Sequence, residues 1–470
     1  MTSLRAPAHF EGRFLTEGVP GFEERRRLTD HRYDSVPAAI AECLSVADVQ
    51  DAVNLARTAG LPVAVRSGGH SFRGLSTVDG GLVIDLSAMR DVYVDRVGRT
   101  ARVRPGARLW DVARATAGFG LAAVTGTQST VGFGGLTAVS GRGKMSRRHG
   151  HSCDNVLAVE MVTATGEVLS ISAVSHPDLF WAVRGAGDSF GVITAFEVML
   201  HPIPETVSCG RFSFAVSDVP SVLKRLAQVD TQLSEDCCWT GLLIALPGMT
   251  TQFTVEYTHL GSPEQRERDV AILQTVGQPI KDVHTTCGYL DLFNPARTLP
   301  RDTAGAAPAS ASYTRCYLAG CELPTIDDET VAAVLMDTAR QMDSATESER
   351  AGRMVQIDTL AFGVSREVVP PSVFPKRPGF SLLSQVYYTD PVHDAAQKSF
   401  ADGVAQRLID AGVTRGGMNV GPPNWTSETP PEALREFFGD NSMKRLTLLK
   451  DRYDPDDMFR RSIGIRKSGG

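Results

Sequence analysis

The sequence predicts an α+β protein of two domains, and three observations carry that reading. Its 470 residues exceed the usual span of one domain. Glycine is unevenly spread: 20 of the 44 fall between Arg66 and Gly191, where an even spread of the 44 would place about 12. Beyond Pro202–Pro204 glycine thins out and strand-like segments alternate with helix-like ones, so the middle of the chain reads as a second architecture.

The elements follow in order. Val46 to Ala59 carries apolar residues at helical spacing and stops at Gly60. Pro62 to Val65 is a short buried strand broken by Ser67-Gly68-Gly69-His70, and Leu82–Leu86 and Ala101–Arg104 are further strands. Trp110 to Gly118 is helical, and Val156–Val162, Leu169–Ile171 and Val192–Val198 complete the first region. In the second, strands at Phe212–Val216, Leu242–Leu246 and Gln252–His259 alternate with helices at Val222–Gln232 and Pro263–Val276. Leu292–Ser312, rich in Pro, Ala and Ser, reads as irregular. A helix at Thr330–Met342, a strand at Leu382–Tyr388 and a helix at Val392–Ala411 follow. Leu434 to Lys450 is one or two helices ending at Asp454-Pro455.

Composition excludes several classes. The chain is 42% hydrophobic and 22% charged, enough apolar material for sizeable cores. Its net charge of -6 and short basic clusters (Arg25–Arg27, Arg147-Arg148) argue against nucleic-acid binding. No apolar run is long enough for a membrane span, and MTSLRAPAHFEGRF lacks the apolar core of a secretory signal. Eight cysteines are too few for a disulfide scaffold, and the expected compartment is the cytoplasm.

The glycine clusters carry the chemistry. Arg66-Ser67-Gly68-Gly69-His70-Ser71 runs from a strand into two glycines whose N–H groups can form an anion nest, flanked by two hydroxyls. His70 beside that nest is a functional candidate whose role the residues leave open between metal, acid–base and covalent chemistry. Gly126-Thr127-Gln128-Ser129-Thr130-Val131-Gly132-Phe133-Gly134-Gly135 and Ser140-Gly141-Arg142-Gly143 follow. Two such loops suit an elongated, phosphate-bearing ligand. Gly185 to Gly191 looks like a dinucleotide fingerprint in reverse, since a helix precedes it and a strand follows, and no Walker A loop occurs. Cys/His sets at zinc spacing are absent.

The run RSGGHSFRGLS, then GTQSTVGFGG, SRRHG…CDNV, DLFWAVRGAGDSFGVIT and the tail DRYDPDDMFR resembles the berberine-bridge-enzyme-like flavoproteins of the vanillyl-alcohol oxidase / p-cresol methylhydroxylase (PCMH) superfamily. The matching motifs run from about Ala39 to Thr194 and from Phe438 to Arg460, in family order. The resemblance implies a PCMH-type FAD-binding domain from residues 1–204 and 425–470 around an α+β substrate domain with an antiparallel sheet at 205–424. It implies FAD attached covalently at His70, with Arg66, Ser67, Gly68, Gly69 and Ser71 cradling the pyrophosphate. Gly126, Thr130, Val131 and Gly132 would approach the isoalloxazine and ribityl chain, and Ser140, Gly141 and His149 would continue that wall. Asn155 falls in a matched segment and Ile193 would meet the adenosine side.

Departures from the family pattern sharpen these expectations. Gln128 stands where bicovalent members carry a second, cysteinyl linkage, so attachment through His70 alone is expected. Val139 and Ser140 reduce a glycine triplet, and Arg142 replaces a usually aromatic residue. Arg142 and Lys144 near the flavin would favour its anionic reduced form. The family's Tyr-x-Asn catalytic segment is Gly417-Met418-Asn419 here: Asn419 survives and the tyrosine does not. Phe72 takes another frequent tyrosine position, and Arg461-Ser462-Ile463 replaces the usual ending. Glu367 and Tyr388 are the candidate bases left, and Trp425 is a candidate for lining the substrate cleft. The expected activity is oxidation of a small specialised metabolite, with hydride transfer to flavin N5 and O2 as electron acceptor. Loss of both tyrosines leaves open a flavin-dependent cyclase or isomerase without net oxidation, and, from another class, a non-catalytic binding protein.

Overall fold

The computed structural model describes residues 4–245, 249–293, 313–350, 352–360, 371–423 and 426–469. Its strands fall into three sheets that follow one another along the chain. The first holds β1 (Arg13–Leu15), β2 (Ala39–Glu42), β3 (Val63–Arg66) and β4 (Leu82–Asp85) in the order β1-β2-β4-β3. Strands β2 and β3 both lie parallel to β4, a pairing that needs a crossover, and the helix Val46–Ala59 supplies one. Ser45 caps that helix through a reciprocal pair with Asp48, and Gly60 ends it in the left-handed conformation at φ 64°.

The second sheet is antiparallel. It comprises β5 (Val92–Asp95), β6 (Thr100–Val103), β7 (Leu121–Ala123), β8 (Val156–Thr163), β9 (Val168–Ser172) and β10 (Gly191–Pro202) in the order β5-β6-β10-β8-β9, with β7 on the end of β10. The helix Pro177–Ala186 precedes Gly191 and β10 follows it, the reversed order that sets Gly185–Gly191 apart from a dinucleotide loop.

The third sheet has seven antiparallel strands in the order β14-β11-β13-β12-β16-β17-β15. These are β11 (Val207–Phe214), β12 (Cys237–Ile244), β13 (Gln252–His259), β14 (Lys281–Cys287), β15 (Arg315–Leu323), β16 (Arg353–Thr359) and β17 (Phe380–Tyr388). Helices Val219–Asp230, Glu329–Ser344 and Asp394–Asp410 bury one face of it around Trp239, Phe253 and Leu382. Strands β11 and β12 are buried along their whole length. Covering on both faces erases the polar/apolar alternation, so β12 begins five residues before the segment legible from sequence and β15 is not legible at all, nor are β16 and the exposed edge strand β14.

The C-terminal helices Pro431–Phe438 and Asp440–Tyr453, divided at Gly439, return to the first region. Leu434, Phe437, Leu446 and Ile463 share one core with Phe133, Phe180, Phe196 and Val198. The tail motif has a structural reason. Asp454 accepts hydrogen bonds from the Met458 and Phe459 amides, both at 2.8 Å, and from Lys450 Nζ at 2.6 Å. Lys450, fully buried, also donates to the Ser189 carbonyl at 2.8 Å, pinning the tail beside Asp188. Among the described residues no helix is long and apolar enough to cross a membrane.

Candidate active site

A cavity of about 390 Å³ lies where the first two sheets face the third. One wall is the loop after β3. Ser67 donates its hydroxyl hydrogen to the Pro105 carbonyl, Gly69 turns at φ 72°, and His70 and Ser71 follow along the cavity. Burial, with the Arg108 guanidinium adding to it, brings the His70 imidazole down to about 4, so it is neutral at physiological pH.

The second wall is the loop leading into the helix Phe133–Val139. Here the two glycine clusters meet: a methyl group added at Gly132 would fall well inside van der Waals contact of Ser67 Oγ and the Gly68 amide, with equal crowding in reverse. Gly135, by contrast, lines the cavity with nothing within 4 Å of where its side chain would project. Replacing Gly132 by alanine should force the two loops apart, costing roughly 1–3 kcal/mol of stability, as overpacking does. Chemical denaturation of the purified variant measures that loss, and flavin absorbance per mole of protein should fall with it.

Of the residues singled out in the sequence, Ser67, Gly68, Gly69, His70, Ser71, Gly126, Val131, Gly132, Gly141 and Ile193 line this cavity. Phe72, Gln128, Val139, Arg142, Arg461 and Ile463 line it as well, while the rest stand behind it or elsewhere. Arg66 is turned away: it is buried, donates to the carbonyls of Arg25, Arg26 and Ser76, and pairs with Asp85 at 3.7 Å. It braces the strand end and is not among the lining residues. Thr130 is exposed outside the lining. Ser140 is buried behind the wall, where its carbonyl accepts from the Cys153 amide at 2.9 Å. Asn155 donates to the carbonyls of His149 (2.9 Å) and His151 (2.8 Å) and meets His201 Nε2 at 2.8 Å, while His149 stacks on His201 with centroids 3.6 Å apart. These three form a brace, not a lining. Asn419, at φ 60°, exchanges hydrogen bonds with Gly320 on β15 at 2.7 and 3.0 Å.

The candidate bases fare differently. Glu367 and Trp425 lie outside the described residues, as does most of Leu292–Ser312. Tyr388 does not line the cavity: it is buried in the core on the far face of the third sheet. Its neighbour Tyr387 faces the cavity, because successive side chains on a strand point to opposite faces. The strand was legible in the sequence, but which face met the cavity was not.

Tyr387 heads a polar row. Its hydroxyl donates to Gln385 Oε1 at 2.8 Å, Gln385 Nε2 donates to Gln356 Oε1 at 2.6 Å, and Gln356 Nε2 donates to Asp358 Oδ2 at 2.6 Å. Asp358 ends the row, paired with Arg142 at 2.6 Å and accepting from Thr240 at 2.8 Å. Burial pushes the Tyr387 phenol up, so it stays protonated at neutral pH. Arg142 reaches the cavity, but Lys144 is not among the lining residues. No cysteine lines the cavity among the described residues, Gln128 included.

The rest of the Ser140–Gly150 stretch docks onto the third sheet. Arg147 pairs with Asp230 at 2.7 Å, both buried, and Asp230 also accepts from Trp239 Nε1 at 2.7 Å and Thr359 at 3.2 Å. Arg148 pairs with Asp236 at 2.6 Å. At the other end of the cavity, Asp188 and Arg73, which the sequence did not single out as site residues, meet the Arg461–Ile463 ending that it did. Asp188 Oδ2 accepts from the Ile463 amide at 3.0 Å, Arg73 donates to the Ile463 carbonyl at 3.0 Å, and Arg461 lies alongside. Burial pushes the Asp188 carboxyl up to about 6. No group of three or more metal-ligating side chains occurs among the described residues.

Comparison with known proteins agrees with this geometry. Residues 37–172 match the family model described as FAD binding domain, and residues 423–466 match the one described as berberine and berberine like. The chain is 31% identical over 479 residues to (R)-6-hydroxynicotine oxidase of Paenarthrobacter nicotinovorans, covering 100% of this chain and 99% of that protein. It is 36% identical over 468 residues to chitooligosaccharide oxidase of Gibberella zeae, covering 96% and 91%. Among solved structures, 6-hydroxy-D-nicotine oxidase from Arthrobacter nicotinovorans superposes with a TM-score of 0.86 at 29% identity, over 98% of this chain and 99% of that one.

Proposed function

The chain belongs to the berberine-bridge-enzyme-like FAD-linked oxidoreductases, and from that premise we propose that it oxidises a small organic molecule without fixed positive charge, a specialised metabolite, with O2 as electron acceptor. The observation that carries this reading is the row Tyr387–Gln385–Gln356 facing the glycine loops across one cavity. The described residues fit FAD: backbone at Gly68, Gly69, Gly132 and Gly135 lines the cavity, Gly135 with open space where a side chain would project, and a neutral imidazole faces the same space. Bound along these loops, FAD would supply a two-electron acceptor that O2 could reoxidise, with peroxide as the product.

The protein's part is attachment, orientation and proton placement. His70 is the proposed single covalent anchor, supported by its neutral nitrogen and by the lack of a lining thiol among the described residues. We place the flavin on residues 1–204 with 425–470, which share a core, and the substrate against 205–424. Gln356, Gln385 and Tyr387 offer amide and phenol groups to substrate hydroxyls. The phenol, protonated at rest, orients the substrate as donor or acceptor and is not a resting base. Asp358 would attract an amine were it alone, but Arg142 neutralises it at 2.6 Å. That pairing favours uncharged alcohols over cationic amines.

Anaerobic mixing of the holoprotein with a panel of uncharged polyols and phenolic alcohols, and with the cationic amine 6-hydroxynicotine, tests this. Uncharged alcohols are expected to bleach the flavin, and peroxide is expected when O2 is admitted. Faster bleaching by the amine would overturn the charge argument, and substrate turnover without bleaching would point to the non-redox cyclase. Tyr387→Phe, which removes one hydrogen bond to the substrate, should lower kcat/KM about tenfold, the effect of roughly 1.4 kcal/mol.

A further inference from the structure

Two of the eight cysteines lie together on the third sheet, outside the cavity. Cys209 is on β11 and Cys287 ends the neighbouring edge strand β14; the register pairs Val207 with Cys287 and Cys209 with Thr285. An offset of two keeps both side chains on one face, and sheet twist shortens one of the two diagonals across such a pair. Here both side chains pack on the same core, and each thiol acts on the other. Cys209 Sγ also lies 3.9 Å from Thr258 Oγ1, and the Lys144 ammonium acts on it.

We propose that Cys209 and Cys287 form a peroxide-reactive dithiol, with Cys209 as the attacking sulfur and Cys287 as the resolving one. The asymmetry of the pair supports those roles. The hydrogen bond from Cys287, with Lys144 nearby, pushes the Cys209 thiol down, while that same bond holds Cys287 protonated. Burial pushes up the thiols of Cys43, Cys153, Cys237, Cys238, Cys316 and Cys321. Cys287 is partly exposed, which gives a small oxidant a route to the pair.

The chemistry balances. The Cys209 thiolate attacks one oxygen of hydrogen peroxide; the O–O bond breaks, hydroxide leaves and takes up a proton, and sulfur is oxidised to the sulfenic acid. The Cys287 sulfur then displaces the sulfenic hydroxyl, which departs as water with the Cys287 proton. One peroxide is reduced to two waters as two thiols become one disulfide joining β14 to β11. Turnover with O2 would furnish the oxidant, and that source rests on the function proposed above; the reaction of the thiols with added peroxide does not.

The test is peptide mapping of the purified holoprotein after brief treatment with a few equivalents of hydrogen peroxide, followed by denaturation and alkylation. The expected product is one crosslinked pair containing Cys209 and Cys287, two hydrogens lighter and reversed by dithiothreitol, formed at least tenfold faster than any other cysteine is modified. In Cys287→Ser the crosslink should vanish and dimedone should trap the sulfenic acid at Cys209; in Cys209→Ser neither product should form. Alkylation of both cysteines at the untreated level, or first oxidation elsewhere, overturns the proposal. Mapping the unaltered protein decides the matter even if a variant folds poorly.

Discussion

His70→Ala protein is expected to lose its flavin on acid precipitation. The unaltered protein should instead keep its colour in the pellet, with the added mass on the His70 peptide alone. A cysteinyl-flavin peptide would contradict the single anchor, and flavin that washes out of the unaltered protein would remove the role proposed for His70. The imidazole is the one neutral nitrogen nucleophile lining the cavity among the described residues. Because burial lowers its pKa to about 4, the unprotonated form persists well below neutrality. Reconstitution of flavin-free protein with FAD should therefore attach flavin at a steady rate from pH 8 to about pH 5. The rate should fall only as the pH nears 4, whereas an ordinary histidine would be about nine-tenths protonated by pH 5.5. The same shift bears on stability. The unfolded chain takes up the proton first, so this group destabilises the flavin-free fold as pH drops from about 6.5 to 4. In that window Asp188 acts with opposite sign, its folded carboxyl holding a proton up to about 6. The two offset one another, and Asp188→Asn should expose the acid lability due to His70 in a denaturation series across those pH values.

Asp230→Ala is expected to destabilise the protein by about 3–5 kcal/mol, the usual consequence of leaving a buried charge without its partner. Arg147 and Asp230 are each about one-twentieth exposed, and the carboxylate also holds Trp239 and Thr359. Urea denaturation measures the loss. Replacing both members together, Arg147→Met with Asp230→Ala, should cost clearly less than Asp230→Ala alone, because no charge is then stranded. A double variant as unstable as the single one would show that shape, not charge pairing, holds the contact. Flavin content should fall as well, because Arg147 lies on the stretch that carries Gly141 and Arg142 to the cavity wall.

The glycine-rich loops, His70 between them and the C-terminal tail were legible in the sequence because their residue types answer to local rules. A backbone at φ 72°, as at Gly69, admits little but glycine, and that demand is local, whereas the closeness of Gly68 and Gly132 comes from packing of two loops. Asp454 is read the same way, satisfying amides four and five residues ahead.

The other wall was decided by tertiary structure. Arg66, Asn155 and His149 sit in the matched motifs, yet their polar groups are taken up by carbonyls and rings behind the cavity. Only packing distinguishes a residue that lines a site from one that supports it. Tyr387 and Tyr388 are adjacent tyrosines on one strand, and a strand covered on both faces carries no alternation to say which points to the ligand. The partners of Arg142 and Arg147, at positions 358 and 230, are separated from them by more than eighty residues. Sequence by itself determined the glycine-rich wall, where backbone conformation demands glycine locally. The wall from the third sheet was set by strand register and long-range ion pairs, which depend on how that sheet docks.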